Sequence, residues 1–262
     1  MAATKSRMSL AADAHARMAR TTVGSAGVLM GIVLAQAGVL AGCTPPRMAT
    51  PADLAQVADE IPVTDRSRAS GLFVNEAFTV GPYKVIRVHR GAISTESGGW
   101  HVGDIGSEKA NHKGFYDFDL KAAAGMYKGQ CGMAASEKAT SYSGFVLSGS
   151  ASGGLDCNCS GGGPGVTRLI VDLERNDGVL IERNGSTAPI VGVWTSEKGG
   201  GGGFLGRPFG YEVGGNLHLG AVDIMRTGRV WINRALDAGA RAELACMFVG
   251  VLLYRPSDMQ GP

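Results

Sequence analysis

The chain is expected to be mainly β, an antiparallel barrel or sandwich with one buried apolar helix at its C-terminus. Three observations predict this. Short runs of alternating or continuous apolar residues recur from about residue 72 onward. Turn signals such as Asn176-Asp177-Gly178 separate them. The last long segment, 236–254, is apolar on every side through its final half. The 41 glycines favour turns and loops over long helices.

The expected strands are 72–80, 83–90, 114–120, 142–147, 166–174, 179–183, 189–194, 216–225 and 229–234. In 83–90 the two-residue alternation is imperfect, whereas Leu169-Ile170-Val171-Asp172-Leu173 reads as a more buried run. Asn176-Asp177-Gly178 and Asn184-Gly185 predict a meander over 166–194, and Thr227-Gly228 predicts a further turn. Residues 95–113 and 149–165 are polar and glycine-rich and are expected as long surface loops. The terminal helix starts with Asp237 as its cap and stops before Pro256. Leu244, Met247, Phe248, Val251 and Leu252 repeat at helical spacing, although a central strand fits the same run. Many strands followed by one wholly apolar helix resemble the tubby-like barrels, in which a C-terminal helix threads a closed sheet. That resemblance spans 72–254 and rests on architecture, without a motif.

The N-terminus predicts location. Arg17 and Arg20 precede an uncharged apolar run at 23–40, and small residues follow, the order of an export signal. The run ends Leu40-Ala41-Gly42-Cys43. This resembles the bacterial lipobox, and the resemblance implies that Cys43 carries diacylglycerol and is the first residue after cleavage. Two or more acyl chains anchor a protein stably where one does not. The expected organisation is therefore a signal peptide at 1–42, an acylated cysteine with flexible tether at 43–70, and one β-rich domain at 71–262. Pro45, Pro46, Pro51 and Pro62 stiffen the tether, within which 52–61 can form a short helix. Thr44 after the cysteine, in a two-membrane bacterium, implies the outer membrane facing the periplasm. Residues 1–17 make an unusually long leader containing Asp13, so translation is expected to start at Met18 rather than Met1. The alternative for 23–40 is a membrane-spanning helix, near the lower limit of roughly 17–25 residues.

The charged fraction is 18% and the formal net charge +2, of which Lys5, Arg7, Asp13, Arg17 and Arg20 supply +3. The near-neutral remainder has no basic stripe, so no nucleic-acid partner is expected. Cys131, Cys157, Cys159 and Cys246 form an even set in an exported chain and predict disulfides. Cys131 is expected to pair with Cys157 or Cys159, while Cys246 is either a partner or a small core hydrophobe. A Cys-x-Cys beside Asp156 also admits a metal, but a second knuckle is lacking.

No catalytic, cofactor or metal residue is assigned. His89, His101, His112 and His218 fall in no catalytic motif, and the glycine/serine run 148–154 lacks the lysine of a phosphate loop. His101, Asp104, Glu108 and His112 crowd one stretch, with Asp117 and Asp119 two apart on one strand face. That group is expected to be solvated, with a divalent cation as the alternative. Trp100, Trp194 and Trp231 are expected as core or cross-strand residues rather than a ligand surface. The expected function is an envelope lipoprotein that binds a protein, a lipid or cell-wall material, or acts structurally. The rivals are a hydrolase using 101–112 and a lipid carrier, which needs an empty lumen.

Overall fold

Alternation decides which side of each strand is buried, and here the buried sides face one another around a ring. The computed structural model describes residues 46–66, 76–143, 145–203 and 207–254. The signal stretch, Cys43, Pro256 and the first part of the expected strand 72–80 lie outside the described residues. In chain order the elements are α1 (Ala52–Val57), β1 (Ala58–Thr64), β2 (Phe78–Val80), β3 (Tyr83–Arg90), β4 (Ser94–Val102), β5 (Ile105–Ala122), β6 (Gly125–Tyr142) and β7 (Phe145–Gly161). They continue with β8 (Val166–Asp172), β9 (Asp177–Ile181), β10 (Thr187–Val193), β11 (Gly210–Val213), β12 (Gly220–Asp223), β13 (Arg229–Asn233) and α2 (Ala238–Leu253).

All strand pairings are antiparallel. The neighbour order runs β3-β2-β1-β13-β12 and on down to β5, and β3 pairs back onto β5. This closes a 12-strand barrel, which leaves no open edge within the ring. Register follows the alternation. Tyr116, Cys131, Cys157, Leu169, Leu180 and Ala188 lie opposite one another on six successive strands and all are buried, forming a hoop of inward side chains. The expected meander at 166–194 is present as β8, β9 and β10. Its first turn is Leu173–Asn176, with Asn176 in the left-handed region at φ 57°. Asp177 and Gly178 already belong to β9, so the turn lies two to three residues before the signal.

The helix α2 fills the lumen. From Leu244 to Leu253 every residue is buried, and α2 packs against β3, β6, β7, β8, β12 and β13. A helix apolar on all sides has nowhere to go but a closed interior. Asp237 caps its start by accepting from the Ala240 amide at 2.9 Å. At its other end the carbonyl of Leu253 accepts from Arg90 at 2.8 Å, and Arg66 donates to that of Leu252. Arg90 is itself held by Glu76 at 2.9 Å. Cations at the carbonyl end also suit the helix dipole.

The fit is tight at Gly250. Its carbonyl accepts from the Tyr116 hydroxyl at 2.6 Å. A Cβ there would stand 2.8 Å from Cys157 Sγ and 2.9 Å from Cys131 Sγ. Gly250→Ala is therefore expected to destabilise despite the ~1 kcal/mol helix advantage of alanine, because overpacking costs about 1–3 kcal/mol. A lower urea midpoint at unchanged slope is the expected reading.

Two expectations are corrected. Residues 95–113 and 149–165 are not long loops: they fall largely within β4, β5 and β7. The outer halves of β5, β6 and β7, with β4, run on past the barrel as a sheet-like arm. All of β4 is exposed, and no apolar alternation announces the arm. Residues 52–64, expected within the tether, form α1 and the barrel strand β1, which pairs with β13. A second, smaller core of Met48, Leu54, Ala58, Phe209, Ala221 and Trp231 brings this segment together with β12 and β13, apart from the main core.

Candidate functional site

The mouth of the barrel at the start of α2 holds a hollow of about 480 Å³. Its lining includes Thr167 of β8, Glu182 and Arg183 just after β9, and Asp237 and Glu243 at the first turns of α2. The backbone glycines 162 and 163 form its rim. These positions follow from the fold: a terminal helix entering a barrel brings its polar first turns to the opening and its apolar turns to the lumen.

Glu243 organises the hollow. It accepts from the Thr167 hydroxyl at 2.6 Å and lies 3.0 Å from Arg183 Nε. That last contact is a close approach of charges without hydrogen-bond alignment, and among the described residues Arg183 Nε is buried with no hydrogen-bond partner. Arg183 also donates to the Gly161 carbonyl. Beneath Gly162 stands the Tyr127 hydroxyl, buried and likewise without a hydrogen-bond partner among the described residues. Burial, reinforced by the negative charge of Glu243, pushes the Tyr127 phenol above its ordinary value. Three carboxylates facing one guanidinium suit a small hydroxylated or cationic ligand. Among the described residues no histidine lines the hollow.

The residues singled out from the sequence scatter. His101 and Glu108 face each other across β4 and β5 at 3.5 Å, both well exposed on the arm. Asp104 lies in the turn beyond them, while His112 is buried and shares a hydrogen bond of 3.0 Å with Thr95. Among the described residues, no three His, Cys, Asp or Glu side chains gather as a metal site. Asp117 pairs with His89 at 3.3 Å and Asp119 with Arg87. Asp156 pairs with Arg168, Nε to Oδ1 at 2.8 Å.

The cysteines resolve into two pairs at bonding distance. Cys131 joins Cys157 across β6 and β7, Cα atoms 4.1 Å apart. Cys159 joins Cys246, with Cα atoms 6.3 Å apart, and so ties the barrel wall to α2. Cys246 is both a core residue and a partner. The tryptophans divide as well. Trp231 is buried under the Arg229 guanidinium at 4.8 Å, Trp194 is half-buried, and Trp100 is exposed.

The mouth residues Thr167, Arg183 and Glu243 carried no sequence signal, because they are far apart in the chain and meet only when the barrel closes. No family model, curated protein or solved structure matches the chain.

Proposed function

We propose that this chain is an envelope lipoprotein, held to a membrane through acylated Cys43, whose barrel acts by binding through its outer surfaces rather than by carrying a ligand in its lumen. The observation that supports it most is the disposition of the cysteines. Four of the five stand in two pairs, the pattern of an oxidising, exported setting. Cys43 is the one left over, at the end of an apolar run. The lumen is occupied by α2, which the Cys159–Cys246 pair fastens in place. This favours a surface binder over a lipid carrier. A closed barrel around its own terminal helix is also the arrangement that the tubby-like resemblance implies.

Metabolic palmitate labelling with intact mass tests the reading. Label on the wild type, none on Cys43→Ala, and a mature mass beginning at Cys43 plus acyl chains are the expected results. An uncut, unlabelled wild-type chain would overturn it.

A further inference from the structure

The arm ends in a row of apolar side chains. Val102 lies opposite Ile105, Ile105 opposite Tyr142, and Tyr142 opposite Phe145. Directly opposed residues in an antiparallel sheet share a face. Four strands therefore present one apolar line at their far end. It is open to solvent: Val102 is 72% and Phe145 77% exposed. Trp100, on the same face two residues back along β4, is 55% exposed.

The charges behind this row are ordered by depth. Lys109 of β5 lies directly opposite Lys138 of β6, on the same face as Ile105 and Tyr142. Like charges placed opposite one another destabilise a sheet. Among the described residues neither lysine has an ion-pair partner. Lys113 follows four residues further back on that face, and from the tip back to Lys113 the one carboxylate that β4, β5 and β6 place there is Glu96. The other face of the arm carries Glu108 and Glu137. At about 3.4 Å per residue, the apolar row, Trp100 and the lysine pair are spaced at intervals of about 7 Å.

We propose that the tip of this arm docks into the interfacial layer of an anionic lipid bilayer, with Val102, Ile105, Tyr142 and Phe145 at the acyl boundary and Lys109 and Lys138 on lipid phosphates. The dimensions match. Interfacial elements bury apolar groups about 5–10 Å deep, below a headgroup layer several ångströms thick. Tryptophan and tyrosine favour that layer, and long lysine side chains reach back to phosphates. An anion between Lys109 and Lys138 relieves their repulsion. Asp104, in the turn beyond the row, keeps its carboxylate in water, so the arm approaches obliquely on its lysine face. A protein groove would need no such grading along the strands. It is the ordered sequence of apolar, aromatic and cationic rows that points to a bilayer.

The test reconstitutes the full chain in phosphatidylcholine vesicles with and without phosphatidylglycerol, using brominated acyl chains as quencher. Subtracting the emission of Trp100→Phe isolates Trp100 from Trp194 and Trp231. Trp100 is expected to be quenched and blue-shifted only with the anionic lipid. Lys109→Gln with Lys138→Gln should lower the docked fraction relative to the undocked about 30-fold, at about 1 kcal/mol for each lysine near the surface. Val102→Asp with Phe145→Asp should abolish it, all with unchanged circular dichroism. Trp100 unquenched in anionic vesicles would overturn the proposal, as would quenching that survives the lysine changes. So would a blue shift without lipid that grows with protein concentration, which would mark a second copy as the occupant. The inference stands on the arm alone. If Cys43 is not acylated, the palmitate label is lost while Trp100 quenching remains.

Discussion

Arg229→Met is expected to cost about 3–5 kcal/mol of stability at neutral pH, because it strands a buried carboxylate. Asp223 is 1% exposed. It accepts from the amides of Met225 at 2.8 Å and Met48 at 3.3 Å, and its ion partner is Arg229 at 3.2 Å. Arg229 also reaches Glu197 at 2.6 Å and stacks over Trp231. Burial holds the Asp223 carboxyl above the usual carboxylate range even with that partner present. A carboxyl whose folded value is raised contributes stability in its protonated form, and that contribution is lost as pH rises through the folded value. Without the guanidinium the folded value climbs further. The deficit of Arg229→Met should therefore be largest at neutral pH and shrink as pH falls toward the carboxylate range. Thermal melts of wild type and variant between neutral and acid pH check this. Arg229→Met with Asp223→Asn, which removes the charge and keeps an acceptor for one of the two amides, should recover part of the loss. A deficit that ignores both pH and the second substitution would show that packing on Trp231, rather than the stranded charge, sets the cost.

Removing the Cys159–Cys246 pair, by alanine at both positions, is expected to cost about 4–5 kcal/mol on the loop-entropy account. The pair spans 87 residues of sequence. Alanine at Cys131 and Cys157, which span 26 residues, should cost about 1 kcal/mol less on the same account. The comparison is informative because the two pairs do different work. Cys131–Cys157 staples strands already neighbours in the sheet, whereas Cys159–Cys246 fastens the plug to the wall. Denaturant melts of both double variants, beside the reduced wild type, order the effects. Equal losses would mean that the chain-entropy difference is cancelled by structure retained in the unfolded state.

The parts of this fold that were legible in the sequence are those that touch the core on one side. The strand 83–90 and the meander 166–194 alternate, and the terminal helix is apolar on every side from Leu244 onward, so burial left its mark on each. Strand β1 was hidden because it begins in a proline-bearing segment, Ala58 to Thr64 with Pro62 inside it. Strand β11 has four residues, too few for a period to show. The arm was hidden for another reason: its strands carry no apolar alternation, and its glycines, serines and alanines read as loop. What holds it is the hydrogen-bonded ladder from Ile105–Tyr142 to Ala122–Gly125, which leaves no trace in hydropathy. The barrel-mouth hollow was illegible for a further reason. Thr167, Arg183 and Glu243 stand in no motif in sequence, and only the folded barrel brings Thr167 and Arg183 within 3.0 Å of Glu243. The cysteines lay between these cases. Their even number predicted pairing, but the choice of Cys159 for Cys246 depended on the helix running inside the ring.

The closing seam of the barrel has a consequence for the order of assembly. Strand β1 pairs with β13, and Ala58 lies opposite Asn233. The first strand to leave a ribosome or a translocon must therefore wait for one made some 170 residues later. The plug that fills the ring is later still, and at the usual pace of synthesis of about 5–20 residues per second the delay is on the order of ten seconds or more. During that interval the inward rows of nearly every strand stand without the helix that covers them. Long-range closure of this kind makes for slow folding. An unfinished chain ending before Ala238 has the described strands but lacks the helix that fills its main core.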